Sequence, residues 1–455
     1  RVMQNGGPGA LTAIYVRGMR SFDTAVLIDG FRFRDAAAPQ GEGGGFLAEM
    51  LLMNADRIEV LRGSGSSLYG THAIGGAVNL VTDPGGGPLR GEAEAEGGGL
   101  GLLRGTVRFG GSAAGDRLLF SGGATHLNVL RGVDGDDRAR NSSGHGFAQL
   151  RFGAGSRLSA RLMANDAFLQ LNDSPFAAPV SLPSTGVIPA VALPRQEVKR
   201  LEAGLPVQYG GATFIPSIND PDARRASGFY SGMAAFTQQV GGWASLRAAY
   251  HGVATRRTSR DGPQGRRFEP LFPNAYSYDG RIDTAEVRAD VHAGAHHRLS
   301  AGYEFERERY DTLAADENPV PAQRTRALTQ ATQRSHALFV QDQMRGFGDR
   351  LLVSVSGRWQ RFRLRQPQFV GGPPAYAGLR LEAPPNAYTG DAAVAYLLSR
   401  SGTKLRAHAG NGYRAPSLYE RLGASFFFGA FSAYGDPRLR PERSLAFDGG
   451  LDQYL

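Results

Sequence analysis

The sequence predicts an all-β transmembrane barrel that carries a small mixed α/β unit at its N-terminus. Three observations make that prediction. From about residue 90 onward, apolar and polar residues alternate with period two: in 350–363, Leu351, Val353, Val355 and Trp359 fall on one face, and Ser354, Ser356, Arg358 and Gln360 on the other. Such alternation marks a strand with one apolar and one polar face. The connections alternate too. They are short near 112–116, 153–156, 240–242, 294–296, 346–349 and 399–402, and long and polar near 128–144, 167–226, 258–280, 313–332, 364–385 and 414–442. Short turns at one end and long loops at the other are the layout of an outer-membrane barrel, and a soluble sandwich has no reason to keep it. Finally, the longest apolar stretches, Phe46 to Met53 and Ala392 to Leu398, fall far short of the roughly 18 to 20 residues of a spanning helix. Membrane helices are excluded. A barrel is not, because only alternate residues of its strands meet lipid.

The elements follow in order. Residues 1–88 form the first unit. Its apolar runs Ala25 to Ile28, Ile58 to Leu61 and Ala77 to Val81 each lead into a turn (Asp29-Gly30, Arg62-Gly63, Asp83-Pro84-Gly85), and Phe46 to Met53 reads as one or two helical turns. The stretch DPGGGP (83–88) breaks any regular element. In the second unit, 89–455, Leu158, Ala160, Leu162 and Ala164 alternate with Ser159, Arg161 and Asn165, and Ala285 to Val291 with Glu286, Arg288, Asp290 and His292. Leu299, Ala301, Tyr303 and Phe305 alternate with Ser300, Glu304 and Glu306, and Leu405, Ala407 and Ala409 with Lys404, Arg406 and His408. These strands are about ten residues or longer, where globular strands run about five or six. Trp359, Tyr303, Tyr388 and Tyr413 share the apolar parity, several near strand ends, as an interfacial girdle requires. About 14 strands follow residue 91, and 167–226 is long enough to hold two more. An even count can close on itself. A lumen filled by a domain, however, goes with about 22 strands, and the first unit overfills a barrel of about 14. With that unit inside, the parent barrel is expected to be 22-stranded, roughly eight strands are expected beyond Leu455, and the chain reads as a fragment.

Composition removes several functions. Gly, at 63 of 455 residues, is about twice its average usage. There is no Cys, so disulfide scaffolds, thiolate metal sites, Cys nucleophiles and iron–sulfur clusters are excluded. The net charge is +9, and all basic residues but Lys199 and Lys404 are Arg. A single-strand nucleic-acid binder would interleave Arg and aromatics on one exposed face. Here Arg takes one parity and the aromatics mostly the other, so no nucleic-acid partner is expected. The chain lacks G-x-x-x-x-G-K-[ST], G-x-S-x-G and a complete G-x-G-x-x-G, and no catalytic residue is assigned. Asp134, Asp136 and Asp137 fit no complete Ca²⁺ loop. His292, His296 and His297 lack the carboxylate of H-E-x-x-H. Both groups read as structural, and neither a metal nor a cofactor is expected.

Two stretches of the first unit resemble the plug domain of the TonB-dependent outer-membrane receptors: VRGMRSFDTAVLIDG (16–30) and DRIEVLRGSGSSLYGTHAIGGAVNLVT (56–82). NGYRAPSLYERLG (411–423) and YGDPRLRPERS (434–444) resemble the paired motif that such receptors carry in a late barrel loop, here through Arg414, Pro416, Tyr419, Glu420, Pro437, Leu439, Pro441 and Glu442. The resemblance implies a plug seated in the lumen of a barrel in the Gram-negative outer membrane, and transport in place of enzymatic activity. It implies energy supplied by TonB with ExbB–ExbD through an N-terminal segment upstream of Arg1. A monomer is expected, surrounded by outer-membrane lipid and lipopolysaccharide.

Site residues follow from the same reading. The connections after Arg17-Gly18 and Asp29-Gly30 are expected at the apical substrate surface, offering Met19, Arg20, Ser21 and Phe22 from the first and Phe31, Arg32, Phe33, Arg34 and Asp35 from the second. Arg forks and aromatic faces suit a bulky anionic metal chelate. Arg57, Glu59 and Arg62 are expected to hold the plug through charge-assisted hydrogen bonds to lumen residues such as Glu286, Arg288, Glu304, Arg358 and Asp391. The expected substrate is a ferric siderophore or cobalamin. Haem receptors of the family usually carry a His between the two loop motifs, and none stands between Arg414 and Pro441. The alternative from another class is a passive plugged channel closed at 14 strands.

Overall fold

The computed structural model describes residues 2–4, 12–38, 47, 49–51, 55–130, 138–153, 155–170, 176–177, 190–206, 212–215, 222–262, 273–371, 380–427, 430–433 and 435–454. Asp134, Asp136 and Asp137, and much of the expected helical turn at 46–53, lie outside the described residues.

In the plug, β1 (Val2–Gln4) and β2 (Thr12–Ile14) pair as a short antiparallel ribbon. Four further strands, β3 (Thr24–Ile28), β4 (Phe31–Arg32), β5 (Ala55–Arg62) and β6 (Gly76–Thr82), form one sheet in the order β4-β3-β6-β5. A one-turn helix, α1 (Ser66–Tyr69), joins β5 to β6. Strand β3 is buried along its whole length because both faces are covered: Ala25 and Leu27 pack on Ala73, Ala77 and Tyr69, whereas Ile28 packs on the wall. The DPGGGP stretch then crosses to the wall. A Cβ at Gly85, where φ is +78°, would stand 2.0 Å from the Phe120 carbonyl oxygen, so this crossing requires glycine.

The wall is one sheet of 14 antiparallel strands. They are β7 (Arg90–Gly98), β8 (Leu102–Ala113), β9 (Leu118–Val129), β10 (Ala139–Phe152), β11 (Ser156–Gln170), β15 (Arg224–Val240), β16 (Ala244–Asp261), β17 (Asn274–Ala293), β18 (His297–Asp316), β19 (Arg326–Gly346), β20 (Leu351–Val370), β21 (Ala387–Leu398), β22 (Thr403–Arg414) and β25 (Glu442–Gln453). Each pairs with the next in this order, and β7 and β25 at the two edges do not pair with each other. The connecting loops hold the intervening elements. Between β11 and β15 lie β12 (Phe176–Ala177), β13 (Ala190–Ala192), α2 (Arg195–Glu202) and β14 (Ala212–Ile215), the three strands forming a separate sheet. The additional strands expected in 167–226 thus belong to a loop and not to the wall. Between β22 and β25 lie α3 (Leu418–Leu422) and the hairpin β23 (Ala424–Phe427) with β24 (Ala430–Ala433).

The two faces follow the alternation in the sequence. Leu162, Val287, Leu338, Val355, Leu445 and Phe447 are exposed on the outer face, while Arg161, His251, Glu304, Arg358 and Gln360 are buried inside against the plug. Tyr303, Trp359 and Tyr388 lie outward, with Trp359 directly opposite Tyr388. Tyr413 departs from the expected girdle: its ring is buried, stacked on Phe362 at 6.1 Å, and its hydroxyl donates to the Pro385 carbonyl at 2.9 Å. The segment leading into β21 folds over the strand end there and gives the phenol its partner.

Candidate functional site

Where the plug meets the wall, residues 29–38 leave β3 and follow the lumen face. Asp29 accepts from the Thr82 amide (2.8 Å) and hydroxyl (3.0 Å) and pairs with Arg161 of the wall. Phe31 rests against His251 at 5.3 Å, with the Arg247 guanidinium 4.9 Å from its ring. Arg32 pairs with Glu304 and Glu306, Arg34 with Glu306 and Glu308, and Arg358 closes the row on Glu304. Phe33 meets Phe229 edge-on at 4.9 Å and packs with Met163 and Val253. Asp35 accepts from Thr255 at 2.6 Å, and Ala37 joins Tyr310, Leu418 and Leu422 in a buried cluster.

Phe31, Arg32, Phe33, Arg34 and Asp35, expected at the apical surface, are thus the seam between plug and wall. The reason is matching period: Arg32 and Arg34 are two residues apart in extended chain, and β18 presents Glu304, Glu306 and Glu308 with the same step. Three guanidiniums face three carboxylates, none with a side chain more than 11% exposed, so the seam is neutral although dry.

The wall contacts expected of Arg57, Glu59 and Arg62 are not those of the described residues. Arg57 bonds Glu59 at 2.9 Å and Asp56 at 3.3 Å, and Glu59 accepts from Asn79 of β6 at 2.9 Å; Asp56, Arg57, Glu59 and Arg62 lie on the exposed strand β5 at the edge of the plug sheet. Among the described residues no ion pair joins these three to the wall.

Glu49 went unnoticed in the sequence as a mere interruption of an apolar run. It is 2% exposed, its backbone carbonyl accepts from Asn141 (3.0 Å), Ser143 (3.3 Å) and Asn165 (3.0 Å), and its carboxylate accepts from Ser227 at 2.9 Å. Burial pushes this carboxyl above the usual carboxylate range, against the pull of Arg257 and Arg225.

The late-loop motif forms the second contact. Arg414 takes Glu420 with both terminal nitrogens at 2.9 Å, reaches Glu442 at 3.1 Å, and stands 3.7 Å from buried Asp23 of the plug. Arg20 pairs with Asp23 at 3.0 Å and with Glu442, and the Phe22 ring lies 4.5 Å from the Arg20 guanidinium and 5.0 Å from that of Arg414. Ser21 opens the 3₁₀ turn that carries Asp23, and Met19 lies beside Gly75. Ser417 and Glu420 form a capping box on α3, which sets the carboxylate toward Arg414. Arg421 donates to the carbonyls of Pro437 (3.1 Å) and Glu382 (2.6 Å), tying the two halves of the motif together. Pro416 is buried, Tyr419 meets Tyr278 at 6.1 Å, Pro441 leads half-buried into Glu442, and Leu439 is exposed.

The second plug motif docks on the strand that leads into this loop. Ser64 donates to the Asn411 carbonyl (2.8 Å), Ser66 accepts from the Tyr413 amide (3.2 Å), Thr71 accepts from the Ala415 amide (2.9 Å), and Ser67 meets Ser356 (2.8 Å). Arg17 pairs with Asp448, and His408 lies between Asp391 (2.6 Å) and Asp448 (3.2 Å). Elsewhere His297 sits on Asp342 at 2.8 Å and His296 on the Arg345 carbonyl at 3.0 Å, while His292 lines the lumen. The arrangement holds a domain inside a polar lumen through exchangeable hydrogen bonds and ion pairs.

Comparison with known proteins follows this geometry. Residues 191–455 match the family described as TonB dependent receptor-like, beta-barrel, and residues 1–77 match the TonB-dependent Receptor Plug Domain. Over 82 residues, 18% of this chain and 13% of the relative, the sequence is 44% identical to the vitamin B12 transporter BtuB of Vibrio cholerae. The ferric yersiniabactin uptake receptor FyuA from Yersinia pestis superimposes with a TM-score of 0.67 at 14% identity, over 99% of this chain and 65% of that one. The unliganded ferric citrate transporter FecA gives 0.69 at 16% identity, over 100% and 63%. The copper transporter OprC gives 0.70 at 13% identity, over 100% and 65%. At such identities the likeness concerns the fold. The chain spans a small part of the curated relative, and just under two thirds of each of these three solved structures.

Proposed function

The chain belongs to the TonB-dependent receptor family, and from that premise we propose that it is the plug and much of the wall of a receptor that captures a large metal chelate at the bacterial outer membrane and imports it with energy from TonB. The short turns then face the periplasm and the long loops the outside. The observation that carries this reading is the seam. Arg32, Arg34 and Arg358 against Glu304, Glu306 and Glu308 fix the plug in register with only small apolar clusters beside them, so contacts can be exchanged as the plug rearranges. The unpaired edges of β7 and β25 weigh against a passive channel closed at 14 strands, because open ladder groups cannot face lipid.

The substrate is a ferric siderophore or, as the second choice, cobalamin. The exposed Arg20 guanidinium over Phe22, beside Arg414, offers the fork and ring that an anionic chelate needs. The likeness to BtuB supports cobalamin over 82 residues, 18% of this chain. ExbB–ExbD, lipopolysaccharide around the barrel and a monomeric state complete the proposal. Uptake of radiolabelled ferric chelates and of cobalamin, in cells carrying the full gene with and without TonB, tests it. Uptake of one of them is expected to vanish without TonB, and uptake that persists would overturn the reading.

A further inference from the structure

We propose, resting on the receptor reading above, that the lumen beneath the plug holds a second binding site: an arginine belt that takes the oxyanion groups of the imported chelate once it has left the plug. The belt is a consequence of register. Arg151 of β10 faces Arg157 of β11, Arg157 faces Thr237 of β15, Thr237 faces Arg247 of β16, and Arg247 faces Arg288 of β17. Neighbouring strands stand about 4.8 Å apart, so four arginines share one row across five strands. Arg298 of β18, opposite His292, joins them from the short-turn side.

Arg157, Arg247, Arg288 and Arg298 line a cavity of about 460 Å³. Pockets for small ligands run from about 300 to 1,000 Å³, so there is room for the oxyanion end of a chelate. Asp290 is the carboxylate of this lining, and Arg288 already engages it at 2.6 Å. Arg247 stands 3.9 Å from Glu286, whereas Arg157 and Arg298 make no ion pair with a described residue. Like charges directly opposite each other weaken a sheet. A wall that needed only polarity would use Ser, Thr or Gln, as this one does at Ser159, Thr237, Gln239 and Ser245. A row of arginines calls for a counter-charge that comes and goes.

The plug reaches the edge of this cavity through Phe31, which covers Arg247, and beside it Asp29 pairs with Arg161. Displacement of the plug strips Arg161 of its carboxylate and uncovers Arg247. The chelate's oxyanions then take the place of Asp29, and plug and cargo alternate as the counter-charge of the lumen.

Calorimetric titration of citrate into the purified full-length receptor tests the belt. Wild type is compared with Arg157→Gln/Arg298→Gln and with Arg350→Gln/Arg400→Gln, whose exposed side chains sit on short turns at the same end. Citrate should bind wild type, more weakly as salt rises. The first double variant should lose about tenfold or more in affinity, and the second less than about twofold. Equal affinity in all three proteins, or no binding to wild type, overturns the belt. TonB-dependent uptake by the same variants is read separately. Uptake that requires TonB together with unchanged citrate affinity sinks the belt alone, whereas uptake independent of TonB sinks the receptor reading and leaves the citrate result standing.

Discussion

Glu306 is the most informative place to disturb the seam. Its side chain is 5% exposed and joins two guanidiniums, Arg32 at 3.0 Å and Arg34 closer still. The substitution Glu306→Gln keeps the shape and one acceptor oxygen but removes a charge, leaving three arginines to two glutamates. Breaking a buried pair by removing one partner costs about 3–5 kcal/mol. Glu304 and Glu308 still neutralise part of the excess, which lowers the expectation to about 2–3 kcal/mol. At about 1.4 kcal/mol per factor of ten, the population with an open seam should rise roughly 30- to 150-fold.

Hydrogen exchange reads that population directly in the full-length receptor. The Phe33 amide, bonded to the Val26 carbonyl at 2.8 Å, exchanges only when this segment opens. Its exchange in Glu306→Gln should accelerate by the factor given. Arg34→Met/Glu306→Gln restores neutrality and should be less damaged than the sum of its single changes by about 1 kcal/mol or more, well outside the 0.3–0.5 kcal/mol scatter of independent sites. Exchange within about threefold of wild type, or a double variant that is simply additive, would refute the argument that a balanced buried network seats the plug.

Three further outcomes are expected. Burial raises the Glu49 carboxyl, so the native protein holds a proton that the unfolded chain releases. Its contribution to stability is complete below the unfolded value of about 4.3 and declines as pH rises through the raised folded value. Glu49→Gln should therefore flatten that part of a melting-temperature profile, and an unchanged pH slope would contradict the assignment. Arg414→Lys cannot keep both oxygens of Glu420 together with Glu442; the loss of two charge-assisted bonds, about 1.5–3 kcal/mol each, should loosen α3 and expose 414–423 to limited proteolysis. Leu162, 71% exposed at the centre of β11, faces lipid; Leu162→Arg should destabilise the folded barrel by about 2–4 kcal/mol in a denaturant titration from lipid bilayers, and a neutral result would contradict the assignment of faces.

The wall was legible because its signal is local. Alternation, turn spacing and loop lengths each depend on neighbours within one strand or hairpin, and they placed the inner parity of Glu304, Glu306, Arg358 and Gln360 correctly. The seam was not legible in the same way. Both halves stood in the sequence, Phe31-Arg32-Phe33-Arg34 with period two and Glu304, Glu306 and Glu308 with period two, but about 270 residues separate them. Chemistry alone cannot tell such an arginine from one that awaits a ligand. Shared periodicity was the available clue, and Arg57, Glu59 and Arg62, read as the wall contacts, carry no such matched ladder. Glu49 offered only its position inside an apolar run, because its partners Asn141, Asn165 and Ser227 are neutral residues on three separate strands.

If the plug moves as in the proposed function, its seat meets two opposing demands, and the seam divides them between different interactions. Register is set by the arginine–glutamate row, whose attraction is largely offset by desolvation, so that it specifies position more than it adds net stability. Among the described residues, apolar burial along that row lies in three small clusters: Ile28 and Phe33 with Met163, Phe229 and Val253, Ala37 with Tyr310, Leu418 and Leu422, and Phe31 with Met233, Ala235 and Ala249. The second cluster includes α3 of the late loop, whose Arg414 also approaches Asp23 of the plug. A chelate that competed for Arg414 or Arg20 would therefore pull on the same helix that covers Ala37. Through these contacts occupancy of the outer loops bears on the grip of the wall on residues 29–38, with α3 as the element both would move.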